Sequence, residues 1–183
     1  VKFKSASICI SIDGIQNVHN WIRNSDEALF ENMMKNAIFL KTIDTNCVIS
    51  AFNIFTIDKL VEEILNEDRF YYKNITFHSI AKRAYESLLV FDKKYFSLMI
   101  EKANNCISLL ENSSAHYADT PSFKNLVKYL ESDEYLKYHT DKMRIKFIRN
   151  YEEILKPSRG YCLSTVDPIF GEAYLDLKKK YGK

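Results

Sequence analysis

Apolar residues recur at three- and four-residue spacing along most of this chain, the period of a helix with one buried face. Leu29, Met33, Ala37 and Leu40 follow it, and Asn24 with Glu27 three residues on reads as a capping box for a helix from Ser25 to about Thr42. Thr56 opens Asp58 to Leu65, with Leu60, Val61, Ile64 and Leu65 as its stripe. Thr76 is read as the start of a helix through Ile80, Ala84, Leu88 and Leu89, and Asp92 caps another reaching about Leu110. Thr120-Pro121 and Asp167-Pro168 each combine a capping residue with proline at the first helical position, where a missing N–H costs nothing. Ser132 opens a further segment, and Thr140 opens one that runs to Lys156 and stops at Pro157. No alternation of comparable length competes, so the pattern predicts an all-α fold of eight or nine helices.

A shift of 66 residues lays Leu60–Leu89 on Leu126–Leu155 without a gap. Leu60/Leu126, Val61/Val127, Tyr72/Tyr138, Arg83/Arg149, Tyr85/Tyr151, Glu86/Glu152 and Leu89/Leu155 are identical pairs. Helices of shared period match by chance at arbitrary offsets, but agreement across two helices and a loop favours duplication. It predicts two related helical units, 1–110 and 111–183, packed as one compact body.

Composition then narrows the function classes. With 26 basic and 24 acidic residues the net charge is +2, too small for a strong field that would draw nucleic acid or an anionic membrane. Lys178-Lys179-Lys180 reads as a solvated helix end. No apolar run approaches the length of a membrane span. The chain starts at Val1 without an apolar leader, which reads as a mature chain whose signal peptide is gone. Two sequons, at Asn74 and Asn112, fit a secretory route.

Cys9, Cys47, Cys106 and Cys162 lack the close spacing of a zinc site or redox dithiol. An even number in a secreted chain points to two disulfides, read as Cys9 with Cys47 and Cys106 with Cys162. Four buried free thiols in a cytosolic protein are the alternative.

Catalysis finds no convergent residues. His19, His78, His116 and His139 share no ligand spacing, Cys106 with His116 and Asp119 lacks an activating context, and Glu62-Glu63 and Glu152-Glu153 point apart on their helices. Four glycines exclude a glycine-rich phosphate cradle. The expectation is therefore a protein without catalytic residues, metal or cofactor.

Aromatic residues are in excess, with 12 Tyr, 12 Phe and 1 Trp. Phe52, Phe55, Phe70, Phe77, Phe91 and Phe96 crowd the middle third, as core filling, as a cup for a small apolar ligand, or as an exposed patch that anchors a partner. Tyr71, Tyr72, Tyr135 and Tyr138, beside the acidic turns Glu67-Asp68 and Asp133-Glu134, are the candidate interaction surface.

The repeat, the spaced cysteines and the tyrosines between them resemble the bicycle proteins, divergent secreted effectors of aphid salivary glands named for paired Cys-Tyr-Cys motifs. The matching residues are Cys47, Tyr85 and Cys106, then Cys106, Tyr151 and Cys162. No contiguous Cys-Tyr-Cys exists, and Cys106 would serve twice. The resemblance implies delivery into a plant, action in gall formation and no catalytic residues to transfer. The functional expectation is a secreted, non-enzymatic effector that binds a host protein. A secreted helical carrier of a small apolar ligand is the alternative, and an intracellular adaptor comes third.

Overall fold

The computed structural model describes residues 9–25, 29–38, 42–67, 72–79, 87–115, 117–133, 137 and 139–182. Helices predominate, but they are built around a parallel sheet. Strand β1 (Cys9–Ser11) is followed by α1 (Gln16–Arg23) and α2 (Leu29–Ile38). β2 (Thr42–Ile49), α3 (Ile57–Asn66) and β3 (Tyr72–Ser79) come next. Two 3-10 turns, Leu88–Val90 and Lys93–Tyr95, lead into α4 (Phe96–Glu111) and β4 (Tyr117–Ala118). The rest is helical: α5 (Thr120–Glu131), α6 (Asp141–Asn150), a π-helical turn (Tyr151–Leu155), α7 (Lys156–Ser158), α8 (Leu163–Val166) and α9 (Pro168–Tyr181).

The strands lie in chain order β1-β2-β3-β4, and every neighbouring pair is parallel. Parallel neighbours need crossovers, and the right-handed rule for such crossovers brings the intervening helices to one face of the sheet. The buried side chains agree. Ile12, Thr45, Cys47, Ile49, Ile75 and Phe77 face the helices and are nearly inaccessible. Phe77 meets Phe123 of α5 with ring centroids 4.6 Å apart.

The all-α expectation is therefore corrected. In β2 and β3 the side chains alternate, polar Asp44, Asn46, Asn74 and Thr76 against buried Thr45, Cys47, Ile75 and Phe77, which is the period of a strand. The helix expected from Thr76 begins inside β3, and 80–86 lie outside the described residues. Asn24 does not start a helix but ends one. It sits in the left-handed region at φ 54°, and its N–H bonds back to the carbonyls of Asn20 and Trp21 as the cap of α1.

The internal duplication fails on the same ground. Leu60 and Leu126 both lie in helices, but Ile75–Ser79 is strand where its counterpart Asp141–Ile145 is helix. Leu60/Leu126 and Val61/Val127 match where α3 and α5 share a helical period, whereas Arg83, Tyr85, Glu86 and Tyr138 lie outside the described residues. The sheet also continues across residue 110, since β4 pairs with β3 and α5 packs on α4.

Other start signals hold. Thr140 accepts from the Met143 N–H to cap α6, and Asp167 accepts from the Phe170 N–H to cap α9. At α5 the capping side chain is Asp119, one residue earlier than expected.

The cysteines are free, which corrects the disulfide expectation. Cys9 stands opposite Asp44 in the β1–β2 register, three residues from Cys47 along the strand and on the other face of the sheet. That is about 10 Å of strand, beyond the reach of a disulfide. Cys106 is enclosed by the α4 packing, whereas Cys162 is part-exposed at the start of α8. Burial pushes the Cys47 and Cys106 thiols up, further from the reactive thiolate. Alkylation of the native chain without reductant, read by intact mass, should modify Cys9 first and Cys162 next. Cys47 and Cys106 should react after denaturant is added, and protection of a pair under denaturing conditions would restore the disulfide.

Candidate functional site

The turn that leaves β2 is unusual in being wholly interior: every residue from 49 to 58 is buried. A buried turn must find partners for its backbone polar groups within the protein. Asn53 supplies them. Its Nδ2 donates to the Asp13 carbonyl at 2.5 Å and the Val48 carbonyl at 2.7 Å, and its Oδ1 accepts from the Ser50 N–H at 2.8 Å. One amide thus ties the end of β1 to the end of β2.

Asp13 completes the join. Its Oδ1 accepts from the Val48 N–H at 3.1 Å, and its Oδ2 forms an ion pair with Arg23 at 2.5 Å. The Asp13 N–H donates to Nδ1 of His19 at 3.1 Å. His19 is buried, and that desolvation lowers its pKa to about 4 even though Asp13 pulls the other way. The ring is neutral at pH 7 and accepts through Nδ1. Gly14 allows the chain to fold back over α1, because a Cβ there would lie 2.7 Å from Cγ1 of Val18. These groups are satisfied by one another, so the cluster reads as the clasp of the sheet.

Three of the six shielded side-chain polar atoms that lack a partner among the described residues lie on the sheet face turned away from the buried row. Cys9, Asp44 and Asn74 share one row across three strands, and Ser11, Asn46 and Thr76 share the next. Val48 and His78 make a third toward the carboxyl ends. Cys9, Ser11 and His78 are exposed, and the others are half-buried. Oδ1 of Asp44, Asn46 and Asn74 are shielded from solvent, yet each lacks a hydrogen-bond partner among the described residues. Asp44 and Asn74 are direct register neighbours, and Asn46 stands one row on. Three shielded acceptors without a partner among the described residues thus stand together on this face.

The candidate residues from the sequence are not gathered here. Tyr71, Tyr135 and Tyr138 lie outside the described residues, and Tyr72 enters as the first residue of β3. Of the Cys106, His116 and Asp119 arrangement, Cys106 is inaccessible and His116 lies outside the described residues. Asp119 accepts from the N–H groups of Phe77 and Ser122, pinning α5 to β3. The aromatic residues pack against one another. Phe52 stacks on Phe147 with centroids 5.5 Å apart, Tyr151 meets Tyr174 at 4.5 Å, and Phe55 meets Phe91 at 5.4 Å.

Among the described residues no three His, Cys, Asp or Glu side chains converge as metal ligands would, and no helix is long and apolar enough to cross a membrane. No family model, curated protein or solved structure matches the chain.

The polar sheet face was missed in the sequence although its signal is visible. Asp44, Asn46 and then Asn74, Thr76 and His78 occur at every second position, between residues that are buried. Two predictions follow from the clasp. Asn53→Ala strands two buried carbonyls and one N–H, and should cost about 3 kcal/mol in urea unfolding; a loss under 1 kcal/mol would contradict the clasp. His19 binds its proton more weakly in the folded chain than in the unfolded one. Its contribution is therefore complete near pH 7 and is lost as pH falls from about 6.5 to about 4, on the order of 3 kcal/mol. Urea unfolding across that window should show the loss, and a His19→Gln chain should show a shallower pH slope.

Proposed function

We propose that the chain acts by binding another protein across the polar face of its sheet, without a chemical step of its own. Three acceptors on adjacent strands without a partner among the described residues, Asp44, Asn46 and Asn74, carry this reading. All-parallel sheets are covered on both faces in folded proteins, and here one face presents half-buried and exposed side chains. A shielded acceptor without a donor costs roughly 1–3 kcal/mol. Turned outward, these half-buried side chains would meet a partner's amide, hydroxyl or guanidinium donors, recover that energy and complete the layer.

A secreted effector that binds a host plant protein, as the bicycle resemblance implies, is one form of this function. It loses the disulfide framework as support but does not need it for the contact itself. The apolar carrier is less favoured, because the rings that would line its cup fill one another's space.

A second reading has one observation in its favour. Asn46 and Thr76 stand near the middle of β2 and β3 and His78 near the carboxyl end of β3; the β1-β2-β3-β4 order has no switch point, so a ligand would lie on the face and not in an end crevice. A small polar molecule with donor groups would satisfy the same acceptors.

A photo-crosslinking side chain introduced at the exposed Ser11 or His78 separates these readings, with exposed Glu62 on α3 as the control position. Protein adducts from the first two sites and none from Glu62 are the expected result. A small compound retained in native mass spectrometry, and lost in Asn46→Leu, would replace the protein partner with a ligand. Equal adducts at all three sites would remove the sheet face from the account.

A further inference from the structure

A second surface lies on α6 and the π-helical turn that continues it. The helix buries Met143, Arg144, Phe147, Ile148 and then Tyr151 against the aromatic core. At Tyr151 the hydrogen bonding widens, and the Lys156 N–H reaches back five residues to the Tyr151 carbonyl. A π turn holds more residues than an α turn, so residues past Tyr151 are carried round the axis. Ile154, three residues on, is carried outward and is 60 % exposed. Ile145 on the preceding turns is 45 % exposed. Among the described residues the strongly exposed large apolar side chains are these two and Leu175.

The two isoleucines line a groove of about 620 Å³ with Lys142, Lys146, Arg149 and Glu153. Lys142, Lys146 and Arg149 are exposed and form no ion pair among the described residues, whereas neighbouring Arg144, Lys156 and Lys178 are all paired with carboxylates. Like charges at three- and four-residue spacing on one helix face repel. Three cations without a carboxylate partner among the described residues flank two bare isoleucines, an arrangement mildly unfavourable in isolation that an anionic, apolar occupant would relieve.

We infer that this groove is a docking site for an acidic amphipathic helix of a partner protein. Ile145 and Ile154 are about 13 Å apart along the axis, so two to three turns of the occupant span them. Its apolar stripe would cover the isoleucines, and its Glu or Asp residues would meet the three cations, the helix-in-groove mode of recognition. Glu153 sets the end of the cationic stretch and disfavours an acidic residue there. This surface is separate from the sheet face and stands whether or not that face binds protein.

The test uses the whole chain and fluorescence anisotropy. The probes are a four-turn helical peptide with leucines at i, i+3, i+4 and i+7 flanked by glutamates, and its twin with lysine for every glutamate. Phosphatidylserine vesicles are the third probe. The acidic peptide should bind at least about tenfold more tightly than its twin, and added salt should weaken it. Lys146→Glu with Arg149→Glu should cost about tenfold or more, and Ile154→Asp a similar factor, with far-UV circular dichroism unchanged because all three positions are exposed. Equal binding of the two peptides, no binding of either, or variants that bind as the parent does would overturn the inference. So would capture by vesicles without capture of the acidic peptide, which would make this face a lipid contact.

Discussion

A single side-chain amide holds the fold's most constrained segment. The turn after β2 is buried from end to end, and Asn53 satisfies backbone groups on both sides of it, at Asp13, Val48 and Ser50. That turn also carries the residues on which the C-terminal helices dock. Phe52 reaches Trp21, Phe147 and Phe170 within 6.0 Å between centroids, and Phe55 reaches Phe91 and Tyr95. If the turn moved, the sheet would lose its clasp and the aromatic core its centre. Trp21 adds a further tie, donating from Nε1 to the Tyr161 carbonyl at 3.0 Å and so joining α1 to the segment ahead of α8.

Around this point the chain divides its chemistry by face. Period-two alternation in β2 and β3 sends Cys47, Ile49, Ile75 and Phe77 to the helices and Asp44, Asn46, Asn74 and Thr76 to the opposite side. The first set explains why the sheet is stable on one side. The second explains why it is incomplete on the other, since shielded acceptors without donors are rare in finished interiors. α6 is two-faced in the same way, with a buried aromatic side and an outer side of cations and bare isoleucines. On both surfaces polar or charged groups lack partners among the described residues, and the proposed recognition rests on them.

The helices that carry strong end signals were legible in the sequence. Thr140, Asp167-Pro168 and the stripe of Leu60, Val61 and Ile64 mark α6, α9 and α3 close to their observed bounds. The strands were not, for a physical reason. Their exposed rows are Asp and Asn, which are poor strand formers in isolation, and tertiary pairing with neighbouring strands overrides that preference. Asn24 misled because asparagine serves both ends of a helix, through its side chain at the start and its tolerance of positive φ at the end. The apparent repeat misled because two amphipathic helices share a period whatever their history. Of the sites, the clasp carried a visible Asp13-Gly14 turn signal with His19 close behind it, but Asn53 lies 40 residues on, too far for spacing alone to join it.

The central claim is that residues 74–78 form a strand with one polar and one buried face, where helical periodicity also fits the sequence. Single-cysteine scanning decides it most directly, in a background where the native cysteines are replaced by serine or alanine and the fold is verified by circular dichroism. Maleimide labelling of His78→Cys should be fastest, and that of half-buried Asn74→Cys and Thr76→Cys faster than that of Ile75→Cys and Phe77→Cys, an alternation by position. Reactivity that instead rises and falls every three to four residues, or that is uniform through the segment, would contradict the account.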